Sequence, residues 1–217
     1  MGLGLITAIY GEYDELRPLP VGHGFDDAVC ITDNPNLAAD GWRILVDPST
    51  EPPRLAAKRP KFLPDDYLTT SASVWIDAAF AVCDHRFAEF AAEHLARHEL
   101  VVWDHPETRD CLYQEATYCQ GWPKYQWEPI PAQTAAYRAA GMPEHFGLFA
   151  AGTIGRRHTP AMRQFGDAWL RECQTWSIQD QISLPFLLWR EGITPGLWDA
   201  HEFQNNLLTY HPHLRHE

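Results

Sequence analysis

Apolar runs too continuous for half-exposed strands recur through the first half of the chain. Residues 3–11, LGLITAIYG, are apolar almost throughout and end in glycine. This is the pattern of a strand covered on both faces, as in a parallel sheet. DAVCITDNPN (27–36) predicts a second strand closed by an Asp-Asn-Pro turn, GWRILVD (41–47) a third, and SVWID (73–77) a fourth. The spacing then changes. DHRFAEFAAEHLARH (84–98) carries apolar residues at helical intervals, and ELVVWDH (99–105) returns to a strand.

In the second half, ETRDCLYQEATYCQGW (107–122) and PAQTAAYRAAGMP (131–143) predict helices that stop at Gly and Pro. FGLFAAGTIGRR (146–157) predicts a glycine-dotted strand near a ligand, since glycine lets a backbone approach closely. PAMRQFGDAWLRECQTW and QDQISLPFLLWREG predict two more helices, and the tail a short strand with a His-rich end. Strands alternating with helices imply an α/β sandwich with a mainly parallel central sheet flanked by helices. With no repeat, low-complexity tract or linker, residues 1–217 are expected to form one domain.

Charge and composition narrow the class. The formal net charge of −12 argues against a whole-surface grip on nucleic acid, although a local basic patch can still hold phosphates. No apolar run has the length of a membrane span, and the N-terminal stretch lacks the basic start of a signal peptide. Cys30, Cys83, Cys111, Cys119 and Cys173 are odd in number and form no Cys-x-x-Cys pair. They read as reduced thiols in a cytoplasmic protein.

Ligands of open α/β sheets sit at the carboxyl ends of strands. Four such ends here carry polar or small groups: Tyr10 and Gly11, Thr32 and Asp33, Asp77, and Gly152 and Thr153. Asp77 interrupts an apolar run, and a buried carboxylate without a partner costs several kcal/mol. Its position suits the first acid of an Asp-x-Asp pair that holds a divalent metal against a nucleotide sugar's diphosphate, but the second place is Ala79. Upstream, RLAAKRPKFLP gathers Arg54, Lys58, Arg59 and Lys61 in an acidic chain. Arg54, Lys58 and Lys61 share one helical face, as a diphosphate clamp would require. Asp180 and Gln181 stand near a helix start after Ser177, a candidate N-cap. A carboxylate there gains from the helix dipole and stays ionised, as a base or a partner for sugar hydroxyls must.

The ordered segments ITAIYGEYDELRP, CITDNP, AAKRPKFLP, SVWIDAAF, HPETRDCLYQEA, YRAAGMPEHFGL, RRH and IQDQISLPF resemble the glycosyltransferase-like family of TOD/MUCI-type proteins, from about residue 5 to 190. The resemblance implies a GT-A type fold with a nucleotide-sugar donor over the first half of the sheet. By position it implies Tyr10, Gly11 and Asp33 around the nucleoside, and Lys58, Arg59 and Lys61 facing the diphosphate. Asp77 matches the family's Trp-Ile-Asp acid, and Asp180 and Gln181 its Asp-Gln pair at the acceptor side. A magnesium or manganese ion on Asp77 is an expectation that Ala78-Ala79 puts in question, with a tail histidine (His211, His213 or His216) as a second ligand.

Three readings compete. The first is an enzyme that moves a sugar from a nucleotide donor to a hydroxyl on a glycan, a small molecule or a hydroxylated base of modified phage-type DNA. The second is a nucleotidyltransferase, against which the acidic YGEYDE after the first strand counts. The third is a catalytically silent nucleotide-sugar or carbohydrate binding protein, which the missing second acid favours.

Overall fold

The computed structural model describes residues 2–213. Among them a seven-stranded sheet runs in the order β3-β2-β1-β4-β7-β6-β8. The strands are β1 (Leu3–Ile9), β2 (Asp27–Thr32), β3 (Arg43–Val46), β4 (Ala72–Ile76), β6 (Leu100–Asp104), β7 (Phe149–Arg157) and β8 (Gly196–Leu197). β7 is antiparallel to both β4 and β6, and every other pairing is parallel, so the mainly parallel sheet expected from the apolar runs is present. A two-stranded ribbon, β5 (Phe80–Val82) with β9 (Leu208–Tyr210), folds the C-terminal segment back beside the end of β4.

Alternation along the strands sorts side chains between two cores. Ile6 and Ala8 of β1, Tyr10 just past its end, and Trp75 of β4 face α6 (Pro160–Thr175) and α7 (Asp180–Glu191), with Phe165, Trp169, Leu184 and Leu187 in the same cluster. Leu3 and Leu5 of β1 and Val74 and Ile76 of β4 face the other way, against Phe87, Ala91 and Leu95 of α3 (Arg86–Arg97). A third cluster joins α4 (Leu112–Gln120), α5 (Ile130–Ala139) and the first half of α7, where Tyr137 stacks on Phe186 at 3.8 Å. The Pro-rich connection between β3 and β4 coils into two short helices, α1 (Pro53–Ala56) and α2 (Lys58–Phe62). The five cysteines are unbridged, four of them buried. No helix among the described residues is long and apolar enough to cross a membrane.

α2 is held down by a contact that only glycine permits. A Cβ on Gly166 of α6 would meet the Phe62 carbonyl oxygen at 2.1 Å and the Arg156 guanidinium at 3.1 Å. That guanidinium, buried, donates to the same Phe62 carbonyl. Gly166→Ala therefore sets a helix-propensity gain of about 1 kcal/mol against displacement of α2. Overpacking of this kind costs about 1–3 kcal/mol or more. A net fall in melting temperature of several degrees is expected on thermal denaturation, and an unchanged or higher value would show that α2 does not close on α6.

Candidate active site

β1 has β2 on one side and β4 on the other, so the chain changes direction across the sheet at this point, where α/β sheets open a crevice beyond their strand ends. A cavity of about 280 Å3 lies there, walled by the end of β1, the end of β4, α2 and the start of α7. Its floor is a network of four charged groups. Asp180 Oδ2 accepts from Lys58 Nζ at 2.7 Å and from Lys61 Nζ at 2.8 Å, and Lys61 Nζ also reaches Asp77 Oδ1 at 3.1 Å. Lys58 and Lys61 are three residues apart on α2, which puts them on one face. Asp180 occupies the first turn of α7, where the helix dipole favours an anion.

Burial alone would raise the Asp180 carboxyl, but the two ammonium groups more than offset it and hold the carboxyl well below its ordinary range. Burial alone would lower the Lys61 ammonium, and Asp180 and Asp77 more than offset that, holding it above its ordinary range. Both groups therefore stay charged at neutral pH. An acid so firmly ionised takes up a proton poorly, and this one fixes both lysines on α2.

Two further cations reach the same cavity. Arg54 lies over the Tyr125 ring at 5.0 Å and donates to the Lys124 carbonyl at 3.2 Å, and the Lys124 ammonium lies 5.1 Å from the centre of the same ring. Among the described residues neither has a carboxylate within ion-pair distance. Burial first, then Arg54 and Lys58 nearby, pushes the Lys124 ammonium down. Positive groups crowded around one hollow mark a place that an anion would relieve. Lys124 lies within a 3-10 turn, Pro123–Tyr125, and has no sequence pattern to reveal it.

Asp77 stands at the junction. Its backbone N–H donates to the Gly152 carbonyl at 2.7 Å, its carbonyl accepts from Phe80 N–H at 2.8 Å, and its Oδ1 also accepts from Trp75 Nε1 at 2.7 Å. The acid of the apolar run is thus partnered, and about a third of its side chain remains exposed to the cavity. The Asp-x-Asp comparison does not gain a second ligand. Ala79 is buried, His213 pairs with Asp14 at 2.7 Å, and among the described residues no group of three or more His, Cys, Asp or Glu is placed to hold a metal. His211 donates through its backbone to the Ala79 carbonyl, and His216 lies outside the described residues. The cation beside Asp77 is the Lys61 ammonium.

The remaining expected site residues divide. Tyr10 lines the cavity and donates its hydroxyl to Asp47 at 2.7 Å. Gly11 and Asp33 stand behind it: the Asp33 carboxylate accepts from Gly11 N–H at 3.0 Å and shapes the turn after β1. Arg59 turns away. One residue past Lys58 is about 100° around a helix, and Arg59 pairs with Asp66 at 3.0 Å beside a different hollow that includes Asp47 and Tyr67. Ser177 does not cap α7. It donates to Gln133 at 2.6 Å, and Gln179 takes the cap position. Gln181 lines the cavity together with Asp180.

Past Asp77 the crevice opens into a second cavity of about 450 Å3 that shares Lys61, Asp77, Lys124, Asp180 and Gln181 with the first. Its rim is aromatic, with exposed Phe203 and Tyr210 on one side and exposed Tyr118 and Trp122 on the other. Arg109, its guanidinium, is occupied by Glu107 at 2.5 Å and Glu115 at 2.9 Å. Buried Glu202 also lines it. Neither Glu202 nor the aromatic rim stands out in the sequence, because both assemble from loops and helix ends far apart along the chain.

A cationic hollow at the switch point is thus joined across one acid to an aromatic second chamber. No curated protein matches the chain. The TOD1/MUCI70 glycosyltransferase-like domain matches residues 29–208, from within β2 to the first residue of β9, and so includes α2, Asp77 and Asp180. The chain belongs to the TOD1/MUCI70 glycosyltransferase-like family.

Proposed function

We propose that this protein transfers a sugar from a nucleoside diphosphate donor to a hydroxyl group, with donor and acceptor meeting across Asp77. The observation that carries this reading is the convergence of Arg54, Lys58, Lys61 and Lys124 on one hollow at the strand ends. A departing diphosphate gains negative charge as its bond to the sugar breaks, and preset cations at that place stabilise it most in the transition state. Tyr10 and the turn held by Asp33 and Gly11 lie at the end of the hollow suited to the nucleoside. Asp77, partly exposed between the chambers, is placed to accept hydrogen bonds from sugar hydroxyls.

The second chamber suits an uncharged saccharide acceptor. Sugar rings present apolar C–H faces that pack on aromatic rings, and carboxylates accept from paired hydroxyls. A phosphodiester acceptor such as modified DNA would meet Glu107, Glu115 and Glu202, with Arg109 already committed to two of them. Donor hydrolysis and transfer to oligosaccharides, measured over a panel of nucleotide sugars, test the activity. Stabilisation by the donors without any turnover would instead identify a nucleotide-sugar binding protein.

Lys58→Ala is expected to weaken nucleoside diphosphate binding about ten- to a hundredfold in calorimetry, the scale of one charge-assisted bond, while leaving binding of the free nucleoside nearly unchanged. Equal losses for both ligands would remove the diphosphate from this hollow.

Asp180→Asn separates anchor from base. Breaking a buried ion pair by removing one partner costs about 3–5 kcal/mol, so a melting temperature lower by about 6–20 °C is expected for a chain of this length. Nucleoside diphosphate should restore part of it, because phosphate oxygens take over the two ammonium groups. Unchanged melting with a hundredfold loss of turnover would return Asp180 to the role of base.

A further inference from the structure

The carboxylates around the two chambers are, with one exception, committed to cations or other donors. Asp180 holds two lysines, Asp77 holds Lys61 and Trp75, Glu115 holds Arg109, and Asp14 holds His213. Glu202 is the exception. It is 4% exposed, and its carboxyl has no hydrogen-bond or ion-pair partner among the described residues. It is nevertheless aimed. Asn205 Nδ2 donates to the Glu202 carbonyl at 2.9 Å and to the His201 carbonyl at 3.0 Å, pinning the loop that presents it.

Opposite, β7 makes room. A Cβ on Gly152 would meet Glu202 Oε1 at 2.7 Å and the Phe80 ring at 2.8 Å, and the Gly152 carbonyl is the acceptor of the Asp77 backbone N–H. The Glu202 carboxyl therefore lies on the acceptor side of the same point where Asp77 closes the donor chamber, and it lines only the second of the two cavities.

We propose that Glu202 is the catalytic residue that takes the proton from the acceptor hydroxyl. This rests on the transfer reading given above. A lone pair of the acceptor oxygen forms the bond to the anomeric carbon of the donor sugar, while its proton passes to a Glu202 carboxylate oxygen and the O–H bonding pair stays on the acceptor oxygen. The bond from the anomeric carbon to the diphosphate oxygen breaks, and its electron pair leaves on the diphosphate, toward Lys58 and Lys61. The proton then returns to solvent. Burial, and after it the neighbouring Asp77 charge, pushes the Glu202 carboxyl up to about 8, with Lys61 opposing. A base near neutrality suits such a transfer. The groups that face it from the packed elements are Asp77 after β4, Lys61 on α2 and Tyr210 on β9, while Phe80 and Gly152 contribute no charge.

The test combines binding, turnover and melting on wild type, Glu202→Gln and Glu202→Asp. Nucleoside diphosphate affinity should stay within about threefold of wild type in both variants, because Glu202 does not line the donor chamber. Glu202→Gln should lower transfer at least about a hundredfold with whichever nucleotide sugar the panel selects, and Glu202→Asp should retain more activity than Glu202→Gln. Wild-type turnover should rise with pH and level off near 8, and the residual rate of Glu202→Gln should lose that rise.

Melting gives a readout that needs no donor. A carboxyl whose proton affinity is raised on folding destabilises the fold progressively as pH climbs from about 4.5 to about 8. Glu202→Gln removes that penalty, so its melting temperature should exceed that of wild type at pH 9 by more than at pH 5. Nucleoside diphosphate binding combined with turnover of Glu202→Gln within a few-fold of wild type overturns this assignment alone, as does a melting difference that ignores pH. Failure of wild type to bind any nucleoside diphosphate overturns the transfer reading, and this assignment with it.

Discussion

One buried carboxylate organises the site. Asp180 is 5% exposed and its single oxygen Oδ2 holds two ammonium groups. Each charge would be costly to bury alone, and the two lysines would repel each other if the acid were absent. Together with Asp77 the four charges cancel, and they tie α2 and α7 to the end of β4. The cations are thereby fixed before any ligand arrives. A preset field needs no rearrangement during reaction, and that is the property that lets electrostatic contacts favour a transition state over a ground state. Arg54 and Lys124, not neutralised by this network, leave the hollow net positive.

The scaffold exists to hold that network in register. α2 is only five residues long and could not stay helical unaided. It persists because Phe62 stacks on Trp169 of α6 at 4.3 Å, because Gly166 admits the Phe62 carbonyl, and because the buried Arg156 guanidinium bonds that carbonyl from β7. β7 serves the other side of the site as well. Its Gly152 carbonyl fixes Asp77, and its missing side chain leaves space for the Glu202 carboxyl. One antiparallel strand thus positions both the helix that carries the lysines and the turn that carries the acid.

How much of this the sequence disclosed follows from the range of each signal. Strands β1, β2 and β4 were legible because both faces are buried and each reads as a continuous apolar run. β5 and β8 are too short to carry a period, whereas the tail strand expected from the sequence is β9. The spacing of Lys58 and Lys61 disclosed a shared face, yet the same cluster included Arg59, which the helical turn sends elsewhere. Asp180 was visible as an acid at a helix start. Its role was not, because Lys58 is 122 residues away and no local pattern couples the two. Lys124 and Glu202 come from a 3-10 turn and a loop, where only the folded chain shows what they face.

On the proposed reading the two chambers differ in the sign of what they accept, and Lys61 is among the groups that line both. Its ammonium opposes the rise in proton affinity that burial and Asp77 impose on Glu202. On the proposed reading, a diphosphate bound in the first chamber places negative charge beside Lys61 and weakens that opposition. Glu202 then becomes a stronger base when a donor is present than when the site holds none. The same charge that the lysines must stabilise on the leaving group also prepares the acid on the far side of Asp77 to receive a proton. Coupling of this kind needs no moving part. It follows from placing one buried cation between an anion site and an uncommitted carboxyl, at distances where the low dielectric of the interior lets each charge act on the other.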